Sequence, residues 1–369
     1  MSAFRARPMT KITASAALVL LMVLLPLLNI TIPGVFPGAT YTPGTLQLLA
    51  YAMLIAALAL SYHLVFGLAG MLSFGHALFF AAGAYGLGIV LRNFSPSWLP
   101  AGATFVASIL ITVLIGFVLA ALVGSVSLRV TGISFAMVTL AFAQAGSVVV
   151  RRNPGGQAGG DEGLTLDVSH VPDALVGVLN TRNLYWLSLA VLVTVYLVVL
   201  WVEKSRAGHV VAATRENELR VRVIGIRPYF VRLLVFSIAG ALAALAGAAF
   251  LLLQSGVSPR VATPDFTLTL LVIVVLGGVG LRGGAVLGAL VYTLLDQRLT
   301  ALAGSEFIAG LPDVLRIPLS QPLFILRTLF ILVVLFLPGG LAGLTRRNGR
   351  PQRPRARGRE RMLDSEETT

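Results

Sequence analysis

Ionisable side chains are concentrated in one interior stretch, Lys204–Arg232, between two long apolar runs. The stretch contains seven Lys or Arg residues and two Glu residues. Basic and acidic side chains at helical spacing can bind a charged partner or a charged surface, but they do not supply a nucleophile beside a base or a metal-binding set. We therefore expect this polar stretch to act by binding.

The sequence lacks the motifs that would indicate catalysis. There is no GxxxxGK[ST] phosphate-binding loop, so the chain has no nucleotide site of that kind. The four His residues lack zinc-site spacing, no GxSxG nucleophile motif occurs, and there is no Cys. The sequence therefore predicts a protein that is not an enzyme and that has no metal or cofactor of its own.

The composition predicts the elements that position this polar stretch. The chain has 369 residues, 57% of them hydrophobic and 12% charged, and its mean hydropathy is +0.89. Soluble domains carry about 25% charged residues, so most of this chain is adapted to lipid. Its apolar runs reach helix-spanning length and do not alternate as membrane β-strands do. The sequence predicts an all-α polytopic membrane protein.

About ten membrane-embedded helices are predicted from length and freedom from charge. They are placed at residues 12–30, 46–66, 72–91, 101–123, 133–150, 184–202, 233–253, 266–279, 283–295 and 323–344. The first run exceeds the core of a signal peptide and has no clear cleavage site, so we expect it to be retained. The 133–150 run is short enough to indicate a broken or tilted helix. The short pair 266–279 and 283–295 flanks a Gly-rich break, which indicates a discontinuous or re-entrant helix.

The basic residues predict the orientation of the chain. Arg5, Arg7 and Lys11 precede the first apolar run. Counting crossings from there places the polar stretch and the Arg-rich tail on the same side of the membrane, which the positive-inside rule makes cytoplasmic. Both termini are therefore expected in the cytoplasm.

The chain is predicted to form one membrane domain and one tail. Residues 1–345 form the transmembrane domain, with a cytoplasmic loop at 204–232 and an outer Gly-rich loop at 151–183. Residues 346–369 form an Arg-rich and then acidic cytoplasmic tail, which we expect to be disordered. Because basic residues cluster on the expected cytoplasmic side, the net charge of +13 indicates attraction to anionic lipid rather than to nucleic acid.

Within the cytoplasmic loop, residues 212–224 are predicted to form a short amphipathic helix. Gly225 occupies the position of a C-terminal glycine cap, and Pro228 follows. Two i,i+4 pairs would each stabilise this helix by about 0.2–0.5 kcal/mol: Glu216 with Arg220, and Glu218 with Arg222. Leu219, Val223 and Ile226 would form an apolar stripe. Such a helix suits a groove on a partner protein or the lipid headgroups, and its physical properties favour neither.

The loop resembles the corresponding loop of one protein family. Its matching residues are Gly208, Ala213, Arg215-Glu216-Asn217-Glu218, Gly225 and Arg232. They resemble the cytoplasmic loop of permease subunits of bacterial branched-chain amino acid ABC importers, which couples the permease to an ATP-binding subunit. This chain departs from the family pattern at Thr214 and at Arg220-Val221, where two small residues are usual.

The resemblance covers nearly all of the chain. Five further segments match the family in the same order: Phe66–Ala77 continued by Gly83–Tyr85, Ser134–Gln144, Gly159–Leu164, Leu276–Ala289 and Phe336–Gly343. Met71 stands where the family usually has Gln. Any one segment would be a weak signal, but five in order are specific for the permease family and much less so for its substrate.

The resemblance implies a permease subunit of an ATP-driven importer that moves branched-chain amino acids inward across the bacterial inner membrane by alternating access. The implied partners are two ABC ATPase subunits that bind the ATP, a homologous permease subunit, an extracytoplasmic substrate-binding protein and membrane lipid, with no nucleic acid. Three alternatives remain: a urea or amide permease of the same family, an ion-coupled secondary transporter, and a membrane enzyme. Asp296 is the acidic candidate for ion coupling, but it lies at the edge of a predicted span, which disfavours that alternative.

Polar residues within the predicted spans are candidates for the translocation path. They are Ser73, His76, Thr139 and Gln144. We interpret His76 first as a residue that bonds helices together, because the hydroxyl of Ser73 is close in sequence. For Thr139 and Gln144, lining the path and packing between helices are equally good interpretations.

Glycines mark the places where helices are expected to break. Broken helices near Gly75 and Gly277 would offer helix ends to the charges of a zwitterionic substrate. Gly278, Gly283 and Gly284 would allow a tight hairpin, although close helix packing explains them equally well. On the outer loop, Asp161 and Glu162 are expected near the docking site of a substrate-delivery protein or simply in solvent.

Overall fold

The computed structural model describes residues 38–303 apart from 95, 97–99 and 178–179, together with residues 22–24, 26, 321, 324, 325, 328 and 340. The predicted spans 12–30 and 323–344 lie almost entirely outside the described residues, and the tail at 346–369 lies wholly outside them. Those three predictions therefore remain predictions.

The described residues are mainly α-helical. The helices are α1 (Pro43–Tyr62), α2 (His76–Asn93), α3 (Ala101–Ser127), α4 (Ile133–Arg152), α5 (Thr181–Lys204), α6 (Arg206–Glu216), α7 (Glu218–Val223), α8 (Pro228–Gln254), α9 (Pro264–Gly277) and α10 (Arg282–Ala303). One antiparallel pair of two-residue strands, β1 (Leu164–Thr165) and β2 (Gly256–Val257), joins the 151–183 loop to the end of α8. The all-α prediction is thus confirmed for the membrane helices.

Among the described residues, five helices are long and apolar enough to cross a membrane: α1 with its continuation to Leu68, α3, α4, α5 and α8. The bent pair of α9 and α10 gives a sixth if it is counted as one span. A polytopic membrane protein is therefore confirmed, whereas the number of ten is not. Helix α4 is continuous over 20 residues, so the break considered for 133–150 is absent.

Helices α1 and α8 form the centre of the bundle. In the apolar window of α1, 89% of the residues are buried, against 28% in α3 and in α4. Helix α8 packs against α2 and α3, while α1 packs against α5, α8 and α10. A Cβ on Gly83 would overlap the backbone of Ala244, and one on Gly247 would overlap the backbone of Phe80. The absence of side chains there lets α2 and α8 lie in backbone contact.

The helices meet at two ends, which we name the loop end and the strand end. The loop end contains Lys204–Arg232 and the C-terminal ends of α1, α3 and α5; there Tyr229 Oη donates to the carbonyl of Ser125 at 2.9 Å. The strand end contains the β1–β2 pair, against which the C-terminal end of α2 packs. Counting crossings predicts this same grouping of helix ends.

Candidate functional site

The polar loop folds into two short helices rather than one. The helix predicted at 212–224 is wrong, because Asn217 is extended, with φ −158° and ψ 103°, and separates α6 from α7. Its Oδ1 accepts a hydrogen bond from the backbone N–H of Arg220 at 3.1 Å. Asparagine side chains favour such N-caps over helix interiors, since they compete for backbone hydrogen bonds.

Glycines and a serine determine where these helices begin and end. Ser205 Oγ accepts a hydrogen bond from the N–H of Gly208 at 3.1 Å, which caps the start of α6. A Cβ on Gly208 would overlap the carbonyl oxygen of Val202, so α6 turns closely onto the end of α5. Gly225 has φ +83° just after α7, which confirms the predicted glycine cap.

Arg215 attaches the loop to the membrane helices. Its Nη1 donates a hydrogen bond to the carbonyl oxygen of Gly67, in the π-helical turns His63–Leu68 that extend α1. Its aliphatic carbons lie where a Cβ on Gly70 would stand, and Gly70 has φ +68°. The Phe66–Ala77 segment and the Arg215-Glu216-Asn217-Glu218 segment, distant in sequence, therefore contact each other directly.

Glu218 joins α7 to α8. Its carboxylate accepts from Arg222 at 2.5 Å, as the i,i+4 spacing predicts, and from Arg232 at 2.9 Å. Burial alone would raise the pKa of Glu218, but the hydrogen bonds and charges of the two arginines outweigh it and hold that pKa below its ordinary value. The other predicted pair, Glu216 with Arg220, is not among the ion pairs of the described residues, because the break at Asn217 separates its members.

An apolar face of the loop is exposed. Leu219, Val223 and Ile224 are 72%, 86% and 71% exposed, so Ile224 takes the place predicted for Ile226. Ala213 and Glu216 are exposed as well. We name Ala213, Glu216, Leu219, Val223 and Ile224 the docking face. Of the residues that depart from the family pattern, Val221 is buried and Thr214 donates to the carbonyl of Val210, so neither alters this face. Arg220, the third, is exposed and directly follows Leu219.

A cluster of ionisable residues, which sequence reasoning missed, lies beside the loop. Glu203, near the end of α5, pairs through Oε1 with His63 Nε2 at 2.9 Å and through Oε2 with Arg282 Nε at 3.1 Å. We name these three residues the Glu203 cluster. The Arg282 guanidinium also lies 5.9 Å from the ring centre of Tyr196. The only signal in the sequence was a carboxylate at the end of an apolar run.

The cluster continues the contact made by Arg215. His63 and Gly67 lie in the same π-helical turns, and a Cβ on Gly67 would overlap the His63 ring. His63 Nδ1 is buried and has no hydrogen-bond partner among the described residues. π-Helical turns are frequent at functional sites. A continuous path of contacts thus runs from Arg215 through Gly67, His63 and Glu203 to Arg282, where α10 begins.

The chain turns back at the break between α9 and α10. The two helices meet at 116°, which confirms the bent helix pair predicted there. A Cβ on Gly277 would overlap the carbonyl of Gly284, and one on Gly284 would overlap that of Gly277. Gly278 has φ +113°. Close backbone contact or a positive φ therefore explains why positions 277, 278 and 284 are occupied by glycine. Gly283 has no such constraint, since nothing lies within 4 Å of an added Cβ there.

Three of the four path candidates are buried together. Thr139 Oγ1 accepts from the N–H of Phe74 at 3.1 Å and donates to the carbonyl of Ala136 at 2.9 Å. Ser73 Oγ accepts from the N–H of Gly75 at 3.2 Å. Thr139 therefore holds the non-helical segment before α2 in place.

The hydrogen-bond partner of His76 is Ser61 and not Ser73, the serine that is nearer in sequence. His76 Nε2 lies 2.8 Å from Ser61 Oγ on α1. Because Ser61 Oγ donates to the carbonyl of Leu58 at 2.7 Å, it accepts from the imidazole, so the neutral ring carries its proton on Nε2. This bond joins α1 to α2. His76 Nδ1 has no partner among the described residues.

The buried start of α2 is already capped by hydroxyl groups. The N–H of Ala77 donates to Thr267 Oγ1 of α9 at 3.0 Å, next to the Ser73 bond to Gly75. The helix break predicted near Gly75 is present. In this conformation, however, the amides of Ala77 and Gly75 are satisfied by protein side chains.

Gln144 is separated from the other path candidates and lies exposed on α4. It shares that face with Ser134, Met137 and Ala141, which are also exposed. The large exposed side chains of the neighbouring helix α3 are instead aliphatic, with Leu110, Leu114 and Leu122 at 60% exposure or more. An aliphatic face such as that of α3 is suited to contact with lipid, whereas the exposed face of α4 mixes polar and apolar side chains.

The remaining acidic residues fall into two settings. Asp161 and Glu162 are exposed on a 3-10 turn at the strand end. Asp296 lies inside α10 rather than at the edge of a span, because α10 runs on to Ala303, and it lines a small cavity of about 20 Å³. No group of three or more His, Asp or Glu residues that could hold a metal ion occurs in the described part of the chain.

A family match covers the whole of this site. Residues 44–337 match the sequence model of the family described as the permease component of the branched-chain amino acid transport system. The matched range includes the docking face, the Glu203 cluster and both glycine breaks.

Individual curated proteins are similar to the chain over much of its length. It is 26% identical over 329 residues to the high-affinity branched-chain amino acid transport system permease protein LivM of Escherichia coli strain K12, covering 82% of this chain and 71% of that protein. LivM of Salmonella typhimurium strain LT2 matches to the same extent. A shorter similarity, 31% over 160 residues, covers 41% of this chain and 43% of the autoinducer 2 import system permease protein LsrC of Yersinia enterocolitica.

Proposed function

Because this chain belongs to the family of permease components of branched-chain amino acid transport systems, we propose that it is the membrane subunit of an ATP-driven importer of branched-chain amino acids. It moves them inward across the bacterial inner membrane by alternating access. Both termini and the loop end face the cytoplasm, and residues 1–345 form the permease domain. The observation that carries this proposal is the exposed apolar docking face on a loop that Arg215 anchors to the membrane helices.

The docking face is proposed to bind an ABC ATPase subunit, which supplies the ATP site that this chain lacks. Two such subunits serve two permeases, of which the second is homologous to this chain. Large apolar side chains that stay 71–86% exposed on a polar loop are typical of a helix-in-groove contact. An extracytoplasmic binding protein delivers substrate at the strand end, where Asp161 and Glu162 are exposed.

Movement of the loop is transmitted along the path from Arg215 to Arg282. When the ATPases close, α6 and α7 move with them and displace the π-helical turns through Gly67. The Glu203 cluster carries that displacement to the start of α10, beside the break that separates it from α9. Two-state shifts of such packed elements are the usual means of alternating access.

Uptake measured in proteoliposomes tests the coupling role. The full chain is co-reconstituted with its ATPases, second permease and binding protein, and ATP-dependent leucine uptake is recorded. Glu216→Lys should lower uptake by about tenfold or more, since Glu216 is exposed on the docking face and is not paired among the described ion pairs. Asp173→Lys, an exposed charge reversal in the 151–183 loop outside the turn that holds Asp161 and Glu162, is the matched control.

Two results would contradict the proposal. Normal uptake by correctly inserted Glu216→Lys protein would remove the coupling role of the loop. Uptake of urea in place of leucine, or uptake driven by an ion gradient without ATP, would assign the chain to another transport reaction.

A further inference from the structure

A basic cavity opens at the loop end, between the end of α3 and the start of α8. Its volume is about 430 Å³, and it is lined by Arg129, Arg222, Arg227 and Arg232 together with Tyr229 and Phe230, among others. Four guanidinium groups around one opening of this size provide forked donors that match the oxygens of a phosphate group.

The arginines of the cavity are only partly neutralised. Glu218, the carboxylate in the lining, pairs with Arg222 and Arg232. Arg129 and Arg227 are exposed, and neither is paired with a carboxylate in the described ranges. Arg232 Nε is buried and lacks a hydrogen-bond partner within the same ranges. The cavity therefore retains a net positive charge and an unused buried donor.

The cavity adjoins the exposed apolar surface of two membrane helices. Leu122 and Val126 of α3 are 61% and 51% exposed, and Phe230 and Leu234 of α8 are 60% and 46% exposed. The end of α3 and the start of α8 lie side by side there, since Tyr229 Oη donates a hydrogen bond to the carbonyl of Ser125. A ligand in the cavity would thus have basic groups at one end and exposed apolar side chains of α3 and α8 at the other.

We propose that this cavity binds the phosphate-bearing headgroup of an anionic membrane lipid, whose acyl chains lie along α3 and α8. A basic pocket on the cytoplasmic side of membrane helices is suited to such headgroups. A free phosphate would use only the arginines, and a protein partner would not need the adjoining aliphatic surface. Because Arg222 and Arg232 also hold Glu218, the bound headgroup lies against the loop and stabilises its attachment to α8.

Native mass spectrometry of the purified full chain in detergent tests the site. Phosphatidylglycerol, phosphatidylcholine and inorganic phosphate are titrated separately. Arg129→Gln/Arg227→Gln should weaken phosphatidylglycerol binding by about thirtyfold, since one basic residue near an anionic surface contributes about fivefold. The control Arg206→Gln/Arg220→Gln removes the same charge from two exposed residues outside the cavity and should change binding by less than about twofold.

The remaining outcomes separate this proposal from its rivals. Arg129→Lys/Arg227→Lys should retain most of the binding, which keeps the test decisive if the Gln double variant fails to fold. Equal losses in both Gln double variants, equal binding of phosphatidylcholine, or equally tight binding of inorganic phosphate would each overturn the lipid site. If Arg129→Gln/Arg227→Gln lost ATPase co-purification while its lipid binding stayed unchanged, the cavity would belong to the partner protein, and the lipid site would be overturned too.

Discussion

The two ends of the helical bundle are held together by different kinds of contact. At the loop end, Glu203 and Glu218 each bind two cationic or protonatable side chains. At the strand end, backbone groups pair directly across β1 and β2, and the guanidinium of Arg92 donates to the carbonyl of Thr165 at 3.2 Å. The side-chain ion pairs of the loop end can exchange partners, whereas the backbone hydrogen bonds between β1 and β2 have one arrangement.

This difference predicts which end can move without loss of the fold. The side chains of Glu203 and Arg282, which contact each other, are 20% and 28% exposed, so water can replace this contact during a rearrangement. The strand end instead depends on Gly163, whose φ is +85° and whose Cβ would overlap the carbonyl of Val257. We expect damage at the strand end to reduce stability, and damage at the loop end to reduce transport first.

The largest effect is expected from Gly163→Val. A β-branched residue at φ +85° is strained, and its Cβ has no room beside Val257, so the variant should lose about 3 kcal/mol or more of stability. Thermal unfolding of the purified protein measures this loss. Gly155→Val in the same loop is the control, because nothing lies within 4 Å of a Cβ there. Equal melting temperatures would show that the strand end is not the rigid one.

The next effect separates transport from stability at the loop end. Glu203→Gln keeps the volume but removes the charge that His63 and Arg282 share, which should cost about 2 kcal/mol of stability. Uptake by the reconstituted complex should fall by about tenfold or more while ATP hydrolysis continues. Asp173→Asn, at an exposed position of the 151–183 loop, is the control. A parallel loss of ATP hydrolysis and uptake would indicate general damage and contradict the transmission path.

Local patterns predicted the fold well, but they did not predict contacts between distant segments. Apolar length located the described spans, and glycine spacing located the turn at Gly278 and the cap at Gly225. The Glu203 cluster could not be predicted, because it requires three helix ends, far apart in sequence, to meet. The predicted partner of His76 is wrong for the same reason: Ser73 is nearer in sequence, but Ser61 is nearer across the α1–α2 contact.

The surface residues show a related limit. The sequence makes Thr139 and Gln144 candidates for one path, yet Thr139 is buried and Gln144 is exposed on another face of the same helix. Which face of α4 is covered depends on the helices packed against it, and periodicity alone does not contain that information. The break at Asn217 was likewise outweighed by helix-forming neighbours, although asparagine favours a cap.

A smaller effect is expected from acidification of the loop end. The pKa of Glu218 lies below its ordinary value of 4.5 in the folded chain, so its ionised form stabilises the fold above pH 4.5. That stabilisation is lost as the pH falls through the lowered pKa. Between pH 5 and the onset of acid unfolding, wild type should lose more thermal stability than Glu218→Gln. Identical pH profiles would show that Arg222 and Arg232 contribute no stability through this carboxylate.

The smallest effect on stability, with a clear effect on assembly, is expected at the docking face. Leu219→Ser/Val223→Ser changes side chains that are 72% and 86% exposed, so the melting temperature should hardly move. Co-purification of the ATPases should nevertheless weaken by about tenfold, because a helix docked in a groove depends on its apolar anchors. Val168→Ser at the strand end, where Val168 is 49% exposed, should leave assembly unchanged. Retained ATPase binding in the double variant would mean that the face lies on lipid instead, and the two ends would then differ in rigidity but not in partner.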